Sequence, residues 1–361
     1  MLAKLPAPNI QATLSLCHGQ IQVSQTLEIP NTSQDTRRYR RANLSAAKQV
    51  AMTTENNERP QFGKAALSID VEDWFHAYNV NGVIGRGDWE NCELRVECNT
   101  MRMLEILDET HARATFFILG WVAEKCPQLV HAIADAGHEV ASHGYGHEPV
   151  YSLEPREFRS DVLRSKLFLE DLTGKPVRGY RAPCFSITDW AIPILQDLGF
   201  DYDSSAVPTV AHDRYGQLNG MDAGKPVVLL RDGFYEVCIS CLRLGKRGIP
   251  WGGGGYFRLL PYALWLRGVR AIFESGIPYV FYIHPWEIDP GQPRVAGMTA
   301  INNFRQRINL HRCEQRFTAL AGTFEWMPIC DLVDRWNARR GTDQLRRVAR
   351  GERVEYASSV N

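Results

Sequence analysis

The 361-residue sequence lacks several features, and each absence excludes a class of protein. It has no run of about 18 apolar residues, the length that a membrane-spanning helix needs, so we expect no membrane span. Residues 1–20 contain no continuous apolar core and do not match a secretory signal, which predicts a cytoplasmic location, including the inner face of the membrane. The charges cancel, with 41 basic and 41 acidic residues, so we expect no nucleic acid partner.

A disulfide framework is also absent from the pattern of cysteines. The nine cysteines are odd in number and scattered, which is typical of a protein in a reducing compartment. Cys238 and Cys241 have the spacing of a redox motif, but they lie in an apolar, strand-like stretch with no helix behind it. We therefore interpret these two residues as buried thiols.

What the sequence does contain is a long central region of regular patterns. Residues 1–62 are polar and show no periodicity, which predicts a disordered leader, and residues 339–361 predict a charged flexible tail. Between them, residues 63–338 show patterns of buried strands that alternate with patterns of helices. Two of the predicted helices span 154–174 and 257–276. This alternation predicts parallel βα units of an α/β fold, in sufficient number to close a barrel.

Ionisable side chains stand where successive predicted strands end. In chain order they are Asp70, Glu72, Asp73, His143, His147, Arg181 and His284. In a parallel barrel, the C-terminal ends of all strands open on the same face, so we expect these groups to converge there. Charges scattered over a solvated surface would not follow the strand ends in this way.

Two histidines, His143 and His147, stand four residues apart in "SHGYGH". Gly144 and Gly146 are poor helix residues, so a turn at a strand end is favoured over a helix. Two solvated loop histidines are the alternative interpretation, because this spacing alone is a weak motif. Two imidazoles and one carboxylate would leave an open position for water on zinc or a similar divalent ion, which favours a hydrolytic metal site.

Such a site also needs a proton acceptor and a proton donor. Asp70 suits the role of the base that takes a proton from water, and His284 suits the acid that protonates the leaving group. Arg181 would hold Asp70 ionised by charge pairing.

Six motifs resemble, in order, those of the polysaccharide deacetylase (NodB-homology) family. They are "SIDVEDWFH", "ATFFILG", "GHEVASHGYGH", "GYRAPCFSI", "GFDYDSS" and "YIHPWEIDP". More narrowly, the chain resembles the exosortase-associated branch found with exopolysaccharide gene clusters. The resemblance runs from about residue 65 to residue 337. It implies a distorted (β/α) barrel that removes N-acetyl groups from amino sugars of a bacterial exopolysaccharide or its precursor. It also implies a divalent metal cofactor, with Zn²⁺ as the expected ion.

The resemblance assigns roles to the same residues. His143 and His147 match the metal-binding pair of the family. Asp70, Arg181 and His284 match its catalytic base, the residue that orients the base, and its general acid. In addition, the backbone N–H of Cys184, just after "RAP", would join the metal in an oxyanion hole.

The first motif departs from the family pattern. Most members have two adjacent aspartates, base then ligand, whereas Val71 intervenes here and gives Asp-Val-Glu-Asp. In a strand, Asp70 and Glu72 point to the same face while Asp73 points away, so we favour Glu72 as the metal ligand. A turn at this point would instead present Asp73.

Other interpretations remain open at this stage. The same residues could serve a metal amidohydrolase that acts on a small amide or ureide, or the chain could be a non-catalytic carbohydrate-binding relative. Such a binder would normally have lost part of the constellation, and all of it is present. The glycine run "WGGGGY" (251–256) lacks the Gly-Lys-Ser/Thr of a nucleotide-binding loop, so we predict that it lines the substrate site.

Overall fold

The computed structural model describes residues 15–17, 20–22, 64–209, 215–216, 218–219, 221, 225–244 and 247–349. The predicted leader and the end of the predicted tail therefore lie outside the described residues, apart from two short strands. These strands, β1 (Ser15–Cys17) and β2 (Gln20–Gln22), pair antiparallel within a unit of their own. The final helix runs to Ala349, beyond the predicted start of the tail at 339.

The main unit is built on one sheet that is parallel except at one edge. The strands after β2 are β3 (Lys64–Val71), β4 (Thr115–Ile118), β5 (Glu139–Ser142), β6 (Gly179–Tyr180), β7 (Tyr202–Asp203), β8 (Val227–Arg231), β9 (Phe234–Val237), β10 (Cys241–Leu244), β11 (Arg247–Pro250), β12 (Val280–Ile283) and β13 (Glu325–Met327). The order in the sheet is β12-β3-β4-β5-β6-β7-β9-β8, and β13 pairs with the start of β3. Strands β10 and β11 form a separate hairpin.

The sheet curls into a half-barrel, which confirms the predicted α/β class and distorted (β/α) barrel. Strand β12 is hydrogen-bonded to β3 in parallel, with Ile283 opposite Ile69. This pairing places the end of the "YIHP" strand beside the end of the "SIDV" strand. Strand β3 is buried on both faces, since Leu67 and Ile69 pack in one apolar cluster and Ala66 in another.

Helices connect and cover the strands. They are α1 (Val96–Glu109), α2 (Gly120–Lys125), α3 (Pro127–Asp135), α4 (Pro155–Thr173), α5 (Ala191–Asp197), α6 (Gly254–Leu259), α7 (Tyr262–Glu274), α8 (Ala300–Arg307), α9 (Leu310–Ala321) and α10 (Ile329–Ala349). Within the described part of the chain, no helix combines the length and the apolarity needed to cross a membrane.

Two helix predictions had different outcomes. The helix predicted over 154–174 is α4; Glu157 accepts a hydrogen bond from the Glu154 N–H at its start, and Gly174 ends it with a left-handed φ of +63°. The single helix predicted over 257–276 is wrong. The chain forms α6 and α7 there, because Pro261 lacks an N–H and disfavours helical backbone at the residue before it.

Candidate active site

The predicted site residues meet around one cavity of about 370 Å³ at the C-terminal ends of β3, β5 and β12. Those that line it are Asp70, Glu72, His143, His147, Cys184 and His284. Arg181 is fully buried and reaches the cavity through its contact with Asp70. The structure therefore brings together all the predicted residues except Asp73.

Glu72, His143 and His147 form a buried cluster with the composition of a metal site. Glu72 Oε1 lies 2.9 Å from His143 Nε2 and 2.9 Å from His147 Nε2. One ligand atom from each of the three lies within 4.8 Å of the others. Burial alone would raise the pKa of Glu72, but the charges of His147 and His284 and the close approach of the His143 and His147 imidazoles bring it well below its usual value. An ionised carboxylate and two imidazoles are a donor set that zinc accepts.

The hydrogen bonds of His143 show that the cluster fits a cation. His143 Nδ1 lies 2.8 Å from the Arg181 carbonyl oxygen, which can only accept, so Nδ1 must carry the proton. In the neutral ring, Nε2 then presents a lone pair to a carboxylate oxygen of Glu72, and two acceptors do not satisfy each other. A positive species between them resolves the conflict. A carbonyl behind a metal-binding histidine is also the arrangement that orients such ligands.

The turn that carries the two histidines is held by an aspartate from α4. Gly144 has a φ of +72° and His147 a φ of +57°, so the segment is a turn, as its glycines predicted. Asp161 accepts hydrogen bonds from the N–H groups of Tyr145 (2.8 Å) and Gly146 (3.0 Å). This contact fixes the segment between the two histidines, because it ties two of the three intervening N–H groups to a helix.

Asp73, the alternative ligand, is hydrogen-bonded to backbone N–H groups instead. Its Oδ2 accepts hydrogen bonds from the backbone N–H groups of Arg95 (2.6 Å) and Val96 (2.8 Å), at the start of α1. Its Oδ1 accepts from the Trp74 N–H at 2.8 Å. Burial, opposed by these backbone hydrogen bonds, raises the pKa of Asp73 to about 6. Both oxygens are thus engaged with backbone N–H groups, Oδ2 with those at the start of α1, and this geometry favours Glu72 as the ligand.

Arg181 fixes Asp70 from below the cavity. Its Nη1 lies 2.5 Å from Asp70 Oδ1 and donates to Ser68 Oγ at 2.8 Å. Its Nε and Nη2 donate to the carbonyl oxygen and the hydroxyl of Ser204, at 2.8 and 2.9 Å. Asp70 Oδ2 has no hydrogen-bond partner among the described residues, although it is buried. The guanidinium is therefore immobilised, and one oxygen of Asp70 is left for a molecule in the cavity.

His284 stands across from Asp70 and is supported by a carboxylate that the sequence analysis missed. Its Nδ1 donates to Glu287 Oε1 at 2.8 Å, and its ring stacks on Trp286 at 5.3 Å between ring centroids. Burial would lower the pKa of His284, but the charges of Glu72, Glu287 and Asp70 outweigh it and raise the pKa to about 9. The raised pKa favours the protonated imidazolium, which is the form that a proton donor needs.

Arg258 extends this arrangement into the fold and was also missed. Its Nε donates to Glu287 Oε2 at 2.6 Å, and both residues are almost fully buried. Burial would raise the pKa of Glu287, but the charge of Arg258 and the hydrogen bond from His284 lower it below its usual value. The available signal was the position of Glu287, three residues after His284 in "HPWE".

The glycine run packs against the same support. A Cβ on Gly254 would lie 2.1 Å from Glu287 Oε1, so only glycine lets the two segments approach this closely. Gly253 and Gly255 line the cavity, as predicted for this run. Cys184 also lines it, with a left-handed φ of +55° in the turn Pro183–Phe185. Its predicted oxyanion contact stays a prediction.

Two family models match successive parts of the chain. Residues 88–202 match the polysaccharide deacetylase family and residues 204–334 match a domain of unknown function, DUF3473. The first match contains His143, His147 and Arg181, whereas His284 lies in the second.

Individual relatives carry related names. The chain is 40% identical over 129 residues to the peptidoglycan deacetylase-like protein FGM2 of Gibberella zeae, covering 35% of this chain and 36% of the relative. It is 35% identical over 109 residues to the peptidoglycan deacetylase of Helicobacter pylori, covering 30% and 37%. The matched stretch thus spans roughly a third of the length of these curated relatives.

A solved structure supports the fold. The structure of a candidate polysaccharide deacetylase from Mycobacterium smegmatis aligns with a TM-score of 0.50 at 18% identity, covering 84% of this chain and 97% of that one. At this identity the likeness concerns the fold alone.

Proposed function

Because the chain belongs to the polysaccharide deacetylase family, we propose that it is a metal-dependent hydrolase of N-acetylated amino sugars. The observation that carries the proposal is the Glu72, His143 and His147 cluster, which shares one cavity with Asp70 and His284. The names of the matched relatives, a peptidoglycan deacetylase and a peptidoglycan deacetylase-like protein, support the substrate class. The substrate we propose is a bacterial exopolysaccharide or its precursor, in line with the exosortase-associated branch that the motifs resemble.

The residues of the cavity divide the chemistry among them. Glu72, His143 and His147 would hold the metal, for which we propose Zn²⁺. The chemistry that such an ion supplies is polarisation of a carbonyl and acidification of water. Asp70 Oδ2 would accept the proton of the attacking water, and its lack of a partner among the described residues and the contact of Asp70 with Arg181 support this role.

The leaving group requires a proton as well. An amine is a poor leaving group unless it is protonated as its bond to the acetyl carbon breaks. His284, which lines the cavity and has its Nε2 3.9 Å from Asp70 Oδ2, would donate that proton. The N–H of Cys184 is proposed to stabilise the oxyanion that forms at the acetyl oxygen. The cytoplasmic location remains a prediction, which cell fractionation tests.

One assay tests the proposal. Purified protein is incubated with N-acetylglucosamine oligomers, and released acetate is measured before and after removal and replacement of divalent ions, with Asp70→Asn as the inactive control. We expect acetate release that chelation abolishes and Zn²⁺ restores. Release from ureides alone would favour the small-amide hydrolase. Oligosaccharide binding without any release would favour the non-catalytic relative.

A further inference from the structure

One side of the catalytic cavity is formed by aliphatic and aromatic side chains that are open to solvent. We call Leu259, Ile301, Phe304 and Ile308 the apolar wall; all four line the cavity. Leu259 is 44% exposed, Ile301 57% and Phe304 53%, so the wall is not part of the packed core. Exposed apolar side chains in the lining of a cavity that also holds polar groups are typical of a ligand-binding surface.

Helix α8 carries Ile301 and Phe304 of the wall, and it buries a polar residue while these apolar residues stay exposed. Ile301 and Phe304 lie one turn apart on α8, and Ile308 follows directly after its last residue; in an ordinary surface helix such an apolar stripe would face the core. Here the polar Gln306 is the buried residue, and its amide bonds to Gln292 Oε1 (2.9 Å) and accepts from Asn79 Nδ2 (3.2 Å). The helix thus packs through a polar residue and turns its apolar stripe to the cavity.

The wall is also held rigidly against the proton donor. Arg258 donates to the backbone carbonyls of Arg305, Gln306 and Ile308, at the C-terminal end of α8, while its Nε holds Glu287. A cation at the carbonyl end of a helix is favourable, and here it is buried. The position of the stripe is therefore fixed relative to His284, which Glu287 supports.

We propose that the apolar wall binds a hydrocarbon chain carried by the substrate, so that the enzyme acts on a lipid-linked N-acetylated sugar. This inference rests on the proposed deacetylase function and narrows its substrate. Sugar hydroxyls require polar partners, and a sugar ring packs its C–H face on a flat aromatic ring such as Trp286. The branched side chains of Leu259, Ile301 and Ile308 offer neither, but they match an aliphatic chain.

The continuity of the wall with the catalytic cavity identifies the occupant as part of the substrate. A chain lying on Ile301 and Phe304 is in the same cavity as His284, so it belongs to the molecule whose acetamide reacts. A partner protein or a bare membrane surface would cover the wall without distinguishing one sugar substrate from another.

The test compares octyl and methyl glycosides of the same N-acetylglucosamine disaccharide, below the micelle concentration, by acetate release. We expect kcat/KM for the octyl glycoside to exceed that for the methyl glycoside at least about tenfold, since burial of roughly two methylene groups supplies that factor. In Ile301→Ser and Phe304→Ser this ratio should fall toward one, and Phe304→Leu should keep it. Leu167→Ser, which changes an equally exposed leucine on α4 away from the cavity, should leave both rates and the ratio unchanged.

The outcomes separate the inference from the function on which it rests. A ratio near one in the wild type, with clear acetate release from both glycosides, overturns the inference and leaves the deacetylase function standing. The same holds if the ratio is high but persists in both serine variants with unchanged thermal unfolding. A third outcome is that the wild type binds vesicles, the serine variants do not, and kcat/KM is the same for the octyl and methyl glycosides. This outcome would assign the wall to a membrane and also overturn the inference. If no N-acetylated sugar releases acetate, the proposed function fails, and the inference fails with it.

Discussion

Asp70 Oδ2 and His284 Nε2 lie 3.9 Å apart, at the ends of the adjacent parallel strands β3 and β12. This distance is longer than a hydrogen bond, so neither group satisfies the other. Their other polar atoms are engaged away from the cavity, Asp70 Oδ1 with Arg181 and His284 Nδ1 with Glu287. The pair is therefore arranged to act on a third molecule that enters between them.

Substitution of either member of this pair should slow the reaction and spare the metal. We expect Asp70→Asn and His284→Ala each to lower turnover by about 10² to 10⁴, the usual effect of losing a general base or acid. Acetate release measures the rate, and elemental analysis measures the bound ion. Near wild-type turnover in His284→Ala would show that another group is the acid.

The metal-binding cluster predicts a clear difference between two neighbouring carboxylates. Glu72→Ala, His143→Ala and His147→Ala should each lose the ion, because two ligands do not make a closed three-ligand site. Asp73→Ala should retain it, because both oxygens of Asp73 bond to backbone N–H groups. Elemental analysis of the four variants decides the matter, and loss of metal in Asp73→Ala with retention in Glu72→Ala would make Asp73 the ligand.

Asp73→Ala should instead weaken the fold. The substitution leaves the N–H groups of Arg95 and Val96 without their acceptor at the start of α1, and removal of such a cap costs about 0.5–2 kcal/mol. Denaturant unfolding measures the change, with Asp88→Ala, an exposed acceptor to the Gly85 N–H, as a milder comparison. Unchanged stability in Asp73→Ala would contradict the capping role.

Much of the site could be located from the sequence, because the C-terminal ends of parallel strands open on the same face of the barrel. The position of each group followed from the strand that precedes it. Strand alternation continued past Asp70 favoured Glu72 over Asp73 as the residue facing the cavity, although β3 itself ends at Val71. The support behind His284 could not be predicted in this way. Arg258 and Glu287 are 29 residues apart and meet through a helix and a short turn, where no strand period sets the register.

The close packing of the glycine run against Glu287 makes a sharp prediction. Gly254→Ala should displace the Glu287 carboxylate, whose oxygens would lie 2.1 and 2.2 Å from the new Cβ, and should lower turnover. Gly255→Ala is the matched control, because a Cβ there meets nothing within 4 Å. Acetate release and thermal unfolding are measured for both. Equal turnover in the two variants would show that the position of Glu287 does not matter for the reaction.

The charge of Glu287 should set the alkaline limit of activity. Burial lowers the pKa of His284, and Glu72, Glu287 and Asp70 raise it to about 9. A general acid works in its protonated form, so activity falls as the pH rises through this pKa. Glu287→Gln keeps an oxygen acceptor for Nδ1 but removes a negative charge, and it leaves the positive Arg258 unpaired beside the imidazole. Both changes lower the pKa of His284, so the alkaline limb of the kcat profile should move to lower pH.

The pH profile distinguishes this effect from simple loss of structure. A misfolded fraction would lower kcat by the same factor at every pH, whereas a lower pKa of His284 spares the acidic side of the profile and removes activity on the alkaline side. Glu105→Gln, which removes an exposed carboxylate paired with Arg102, should leave the limb in place. Glu287→Asp, which restores the charge, should move the limb back toward its wild-type position. An alkaline limb that stays fixed in Glu287→Gln would mean that a group other than His284 supplies the proton.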